Sequence, residues 1–176
     1  PYSFRNPVSI KTAGAQKVRQ ALEDAHTQHK DKTAEEIERI ADAVSNNNWH
    51  NDLERIREQS KRSVEAEREV LRRSVKGLGK TGLDIFYRRI QWLWDEAYPF
   101  IDTRTQAALE KLGLPKRAEG IEKMIEVRWE EIQWVDEEKY SVEEQRRRAF
   151  VILLERAVGA DLEKKLDVVL DQASEL

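Results

Sequence analysis

The stretch RRSVKGLGKTGLDIFYRRI, residues 72–90, is the most informative in the chain. It places three of the seven glycines, Gly77, Gly79 and Gly82, close together between two segments of helical periodicity. A Gly-Leu-Gly turn between helices reads as a tight hairpin, because glycine takes φ > 0 without steric cost. Leu78 can then fold back between the helices while the turn's N–H groups face outward. Together with the amino end of the second helix, those amides favour an anion such as a phosphate. Gly77 and Gly79 present no side chain, so a nucleic-acid backbone can approach closely, with Lys76 and Lys80 as flanking counter-charges. Arg72, Arg73, Lys76, Lys80, Arg88 and Arg89 face a single acid, Asp84, a local balance of +5 in a chain of net charge −3. Contacts of this kind position DNA without reading its sequence. On these residues alone the alternative stays open: a plain helix–turn–helix connection with a glycine cap and solvated cations.

Outward from the hairpin, the whole chain reads as helical. Residues 1–11, with Pro1 and Pro7 and no periodicity, are expected to be an irregular arm, and a helix is expected from Ala13 to about Lys30. Thr33 and Glu36 suggest a capping box for a helix carrying Ile37, Ile40, Ala41 and Val44. SNNNWHND (45–52) is a turn cluster before a short helix with Leu53 and Ile56. Ser63 is an N-cap candidate, with Ala66, Val70 and Leu71 expected inward. After the glycines, an apolar helix runs from Leu83 to Trp94. Asp102 caps the helix after it, which Gly113 and Pro115 stop. Ile121, Met124, Ile125, Trp129 and Ile132 form the next stripe. Ser141 with Glu144 caps the helix that follows, Gly159 ends it, and Asp161 opens a last one with Leu162, Leu166, Val169 and Leu170 inward. The fold class is all-α, with about seven to nine short helices and no repeat.

Composition fits that class. Charged residues make up 37% of 176 and hydrophobic ones 39%, with four prolines, which suits helices with long solvated faces. There is no cysteine, so disulfides, thiolate zinc sites, cysteine-ligated iron–sulfur clusters and a cysteine nucleophile are excluded. That fits an intracellular protein, nuclear in a eukaryote or cytoplasmic in a bacterium. No apolar run is long enough to span a membrane, so no membrane contact is expected. With a pI near 5.8, nucleic-acid contact must rest on a local patch rather than on overall charge. Opening on Pro1 rather than Met suggests a trimmed or processed chain.

The continuation VKGLGKTGLDIFYRRIQWLWDEAYPFIDTRTQAALEKLGLP (75–115) resembles the helix–hairpin–helix–Gly/Pro–Asp superfamily of base-excision DNA glycosylases, the endonuclease III type. That family follows an L-P-G-V-G-x-K-T-A hairpin with an apolar helix, a loop, and V-D-T-H opening another helix. Here the corresponding residues are Gly77-Leu78-Gly79, Leu83–Trp94 and Ile101-Asp102-Thr103-Arg104. The upstream part looks like a cluster-free branch that reads K-G-I-G-x-x-G-A-D-I-F at its hairpin. The resemblance covers roughly residues 12–115.

It implies an endonuclease III-like fold of two helical lobes around a central cleft. Residues 12–176 would form one such domain, with the hairpin motif at 64–94, the Asp-bearing loop and helix at 99–113, and the family's first helices missing. It also implies binding of damaged or abasic double-stranded DNA through Lys76, Gly77, Leu78, Gly79, Lys80, Thr81 and Arg104. Asp102 would be the catalytic carboxylate of a monofunctional glycosylase, stabilising oxocarbenium character at C1′ or activating water. Thr81 stands where bifunctional members carry the Schiff-base lysine, and a hydroxyl forms no imine, so no lyase activity is expected. The resemblance implies no iron–sulfur cofactor, and the hairpin is at most a site for a backbone-bound monovalent cation. The competing expectation is a relative that kept the fold and lost the chemistry, binding DNA or a protein partner.

Several residues carry two readings. Asp is a favoured N-cap, so Asp102 is expected at a helix start in either case. Thr81 with Asp84 reads as a cap of the second hairpin helix. Trp92, Trp94 and Tyr98 read as core or as the lining of a base pocket, and Trp129 and Trp134 as packing. His26 and His29 read as solvated or as half of a metal site. Arg146–Arg148 read as a phosphate contact or as the solvated side of a buried helix.

Overall fold

A computed structural model describes residues 4–27, 29–46, 49–132 and 139–175. Among these residues every regular element is helical, so the fold is all-α as the periodicity requires. By internal contacts the chain gathers into two units, Pro1–Leu83 and Asp84–Leu176.

In the first unit, helix α1 (Pro7–Asp24) begins inside the stretch expected to be irregular. The correction has a clear cause. Asn6 accepts the Ser9 N–H at 2.8 Å and Ser9 Oγ accepts the Asn6 N–H at 3.2 Å, while Pro7 sits at the first helical position, where no amide is needed. Gly14, at φ 74°, kinks the helix. α1 packs along α2 (Lys30–Asn46), with Val18, Ala34, Ala41, Ala43 and Val44 buried. α2 starts one residue after His29, so Thr33 lies a turn inside the helix, donating its N–H to His29 O at 2.9 Å. The expected Thr33–Glu36 capping box therefore does not exist, and Ile40 is exposed rather than inward.

Helix α3 (Glu54–Gln59) buries Ile56 and packs against α4 (Val64–Ser74). Ser63 Oγ caps α4 by accepting the Ala66 N–H at 3.4 Å, as expected. Leu71 is buried and Val70 half-buried as expected, but Ala66 is exposed and Glu67 is buried in its place. A turn at 75–79 leads into α5 (Lys80–Ile90), which starts three residues earlier and stops four residues sooner than the apolar run suggests. Its last turn passes into a 3₁₀ turn, Asp95–Ala97.

The core of the second unit is built on a long helix, α8 (Val142–Leu162), opened by the expected Ser141–Glu144 capping box. α6 (Thr103–Lys111) and α7 (Ala118–Val127) pack on it. Ala108, Leu109, Ile121, Ile125, Phe150 and Leu154 form the buried cluster, with Met124, Trp129 and Ile132 packed against it as the stripe anticipated. α6 ends as expected at Gly113, where Leu114 N–H reaches Leu109 O at 2.9 Å and Gly113 N–H reaches Glu110 O at 3.1 Å. Gly159 does not end α8. The break comes at Lys164, in a left-handed conformation (φ 55°), and Asp161 is instead bound by Lys111 Nζ at 2.6 Å. The final helix, α9 (Leu166–Ser174), buries no residue, so the inward placement expected of Leu162, Val169 and Leu170 is overturned: all three are exposed.

Candidate functional site

The hairpin forms as the glycine spacing requires. Gly77 takes φ +97°, a backbone conformation that costs an L side chain about 1–2 kcal/mol. Leu78 donates its N–H to Val75 O at 3.1 Å and Leu83 donates to Gly79 O at 3.1 Å, closing the turn and starting α5. Leu78 folds back over the second helix, and it does so because position 82 is glycine: a Cβ there would stand 2.8 Å from Leu78 Cδ1. Lys76, Gly77, Gly79, Lys80 and Thr81 are left exposed around the turn. A Cβ on Gly79 would meet nothing within 4 Å, whereas Arg39 Nη1 of α2 comes within 3.7 Å of a Cβ on Gly77. Arg39, paired with Glu35 at 3.1 Å, and the Glu36 carboxylate, 4.0 Å from the same Cβ, both stand beside the turn with Lys76 and Lys80. The turn's carbonyls are the ligands a monovalent cation would use; a carbonyl has two lone pairs, so Val75 O and Gly79 O each keep an acceptor site.

The rest of the local positive charge is partly spent. Glu69 accepts from Arg72 Nε at 2.8 Å and from Arg73 Nε at 2.5 Å. The Arg72 hydrogen bond foremost, with Arg73 adding to it against desolvation, holds the Glu69 carboxyl down at about 2. Beside the turn, Glu65, Arg68, Glu69, Arg72 and Lys80 line a shallow groove of about 340 Å³ floored by Leu83. Thr81 is the second residue of α5, not its cap, and Asp84 is buried. The helix begins at Lys80, so the pair expected to form a capping box sits two residues too far in.

Asp102, in the second unit, is held on all sides. It is 6% exposed. Oδ1 accepts the N–H groups of Arg104 at 3.0 Å and Thr105 at 3.1 Å, capping α6. Oδ2 accepts Thr105 Oγ1 at 2.7 Å and Arg88 Nη1 at 2.8 Å. Burial alone would raise this carboxyl, but the hydrogen bonds from the Thr105 side chain and backbone, then from Arg88 with its charge, outweigh it and hold Asp102 below the ordinary aspartate value. Arg88, 5% exposed, also gives Nε to Glu155 Oε1 at 2.5 Å, and Arg89 reaches Glu155 Oε2 at 2.8 Å. Burial opposes ionisation of Glu155 too, and the two arginines again win, Arg89 foremost. The result is a chain of alternating charge tying α5, α6 and α8 together. A carboxylate with four donors and a depressed pKa is a poor proton acceptor, because a general base works best with a pKa near the operating pH. Arg104 points outward from the first turn of α6.

Trp94 is core, while Tyr98 packs on Phe150 and also lines a pocket. Trp94 is buried edge-on to Phe86 at 5.4 Å and to Tyr87 at 6.3 Å, and Tyr98 meets Phe150 edge-on at 5.3 Å. Trp129 packs on the core, while Trp134 lies outside the described residues. Arg146–Arg148 are half-buried rather than solvated. Each guanidinium lies over a ring: Arg146 over Trp129 at 5.6 Å, Arg147 over Tyr98 at 4.9 Å, Arg148 over Trp92 at 5.0 Å and Tyr140 at 4.2 Å. Below Arg147 lies a pocket of about 200 Å³ lined also by Tyr98, Glu122, Glu126 and Arg146, where Arg147 pairs with Glu143 at 2.8 Å. Burial, then the Glu122 carboxylate hydrogen-bonded to it, push the Tyr98 hydroxyl above its ordinary value. His26 and His29 both adopt positive φ, and no metal-binding group of three ligands occurs among the described residues.

Arg88 is the residue that sequence reasoning missed, having counted it only as part of a basic patch. Its signal was positional: Leu83 and Tyr87 mark the inward face of α5, and position 88 shares that face with Asp84 at i+4. Gln91, fully buried, receives Phe100 N–H at 2.7 Å and donates to Phe100 O at 3.0 Å, fixing the loop before Asp102. Against known proteins, no family model matches the chain, and no curated protein or solved structure matches it either.

Proposed function

We propose that this chain binds duplex DNA through its phosphate backbone by the hairpin at 75–80, as a relative of the base-excision glycosylases in which Asp102 serves as a structural anchor. The endonuclease III-like arrangement of the fold belongs to the same proposal. The observation that carries it is the turn itself. Gly77 holds a left-handed conformation, Leu78 is drawn back onto Gly82, and Lys76, Gly79, Lys80 and Thr81 are solvent-exposed at the turn and the start of α5. A helix start with exposed amides and flanking lysines is a phosphate site by dipole and hydrogen-bond geometry. Arg104, exposed at the start of α6, is a further phosphate contact in this reading.

The glycosylase reading, with Asp102 acting at C1′, requires that carboxylate to leave Arg88, Thr105 and two backbone amides. Its four hydrogen bonds favour the reading without base excision. Thr81, exposed on α5, offers no amine in place of the family lysine.

The test is fluorescence anisotropy on labelled duplexes, one undamaged and one bearing a stable abasic analogue, across a salt series. Binding that weakens linearly with log salt, and drops when Gly79 becomes alanine or Lys76 and Lys80 become alanine, supports the hairpin. Absence of binding at about 50 mM salt, where phosphate contacts are strong, refutes it. Single-turnover incubation with lesion-bearing duplexes is expected to release no base. Release that Asp102→Asn abolishes would restore the catalytic role.

A further inference from the structure

The groove beside the hairpin extends the charged surface of the turn along α4. Lys80 belongs to both: it stands exposed at the turn and lines the groove with Arg68, Arg72, Glu65 and Glu69. From position 65 to position 72 the helix rises about 10 Å, which is the axial rise of about three nucleotides in one strand of a duplex. The floor of the groove is Leu83 and its sides are charged. That suits a sugar–phosphate chain, which is apolar at each sugar and anionic at each phosphate.

Arg72 is turned onto an acid of its own helix. It gives Nε to Glu69 Oε2 at 2.8 Å and Nη2 to Glu69 Oε1 at 2.9 Å, the two-pronged contact that a guanidinium makes equally with a phosphate. Arg73 Nε reaches the same carboxylate, so Glu69 keeps a cation when Arg72 leaves it. Arg72 is 59% exposed, and an exposed ion pair contributes little to stability. Exchanging carboxylate for phosphate therefore costs the fold little. We propose that the α4 groove is a second phosphate site for the strand bound at the hairpin, in which Arg72 passes from Glu69 to a phosphodiester and Glu69 limits affinity by competing for it. The proposal rests on the duplex-binding reading of the hairpin and adds to it a subsite and a residue that tunes it.

The test is anisotropy of an undamaged labelled duplex across a salt series, with the full chain and its variants. Arg72→Ala is expected to weaken binding about fivefold and to lower the slope of log affinity against log salt by about 0.9, the loss of one phosphate contact. Glu69→Gln is expected to tighten binding about fivefold. In the Arg72→Ala background the same change should give no more than Glu65→Gln gives in the parent. Glu65→Gln is the control because it removes the same charge from the same groove, while Glu65 bonds Ser63 rather than an arginine. Thermal melts by far-UV circular dichroism check that the variants keep the fold. If Arg72→Ala leaves affinity and slope unchanged while the hairpin substitutions weaken binding, the groove site is overturned and the hairpin reading stands. Equal gains from Glu65→Gln and Glu69→Gln also overturn it, since net charge alone would then explain them. Absence of binding by both the parent and Glu69→Gln at about 50 mM salt overturns the hairpin reading and the groove site together.

Discussion

Replacing Asp102 separates a carboxylate that holds the fold together from one held ready for chemistry. In Asp102→Asn the Oδ1 cap on Arg104 and Thr105 survives, because asparagine caps as well as aspartate. The variant loses the charge facing Arg88 Nη1 at 2.8 Å, and an amide NH₂ now faces that donor. Removing one partner of a buried pair costs about 3–5 kcal/mol. Arg88 keeps Glu155 at 2.5 Å, so the expected loss is nearer about 2 kcal/mol, a hydrogen bond to a charged group being worth about 1.5–3. Asp102→Ala removes the cap as well, which adds about 1 kcal/mol. With a urea slope near 2 kcal/mol per molar, the midpoint should fall by about 1 M for asparagine and about 1.5 M for alanine. Tryptophan fluorescence reports mainly on the second unit, since Trp92, Trp94, Trp129 and Trp134 lie there in sequence and only Trp49 lies outside it. An Asp102→Asn protein as stable as the parent, or more stable, refutes the reasoning: relief on removing a side chain is the behaviour of a group kept strained for function.

Acid should unfold the second unit early. Asp102 and Glu155 both have depressed native pKa values, so the stability they contribute is full above their unfolded values and is lost as pH falls through the lower native ones. A pH series of urea midpoints should show that loss below about pH 4, with a shallower slope in Asp102→Asn. At the hairpin, Gly77→Ala should cost about 1–2 kcal/mol because of its positive φ. Gly79→Ala should leave stability within about 0.5 kcal/mol and, in the DNA-binding reading, still weaken duplex affinity; equal losses of stability at the two positions would contradict the turn geometry. Gln91→Ala, which removes two hydrogen bonds to the Phe100 backbone, should cost about 3 kcal/mol by urea unfolding.

Helix content, the hairpin turn, the Ser63, Asp102 and Ser141 caps and the α7 stripe were legible because each depends on neighbours within one or two turns. Asn6 and Pro7 were misread because prolines signal irregular chain except at a helix start, and only the asparagine cap marks that start here. Thr33 shows the reverse error, a cap-like residue overrun by a helix that tertiary packing extends. The ion network was hidden because Glu155 lies 67 residues from Arg88, and no local pattern ties two such distant charges. Arg146–Arg148 read as a solvated side or a phosphate contact because ring partners such as Trp92 and Tyr98, some fifty residues upstream, are invisible to periodicity. The α9 stripe was legible as amphipathic, but amphipathicity gives no information about what covers the apolar side.

The Arg88 network also constrains how this protein can change over evolutionary time. Arg88 is shared by Asp102, Thr105 and Glu155, so a substitution at any one of the four leaves a buried donor or acceptor that the others must absorb. Single steps through these sites pass through a less stable intermediate, and the positions are expected to vary jointly among relatives. A lineage in which Asp102 acquired, or regained, a role as a base would first have to turn Arg88 away. The sequence of such a relative should therefore show a replaced arginine at position 88 together with a compensating change at 155.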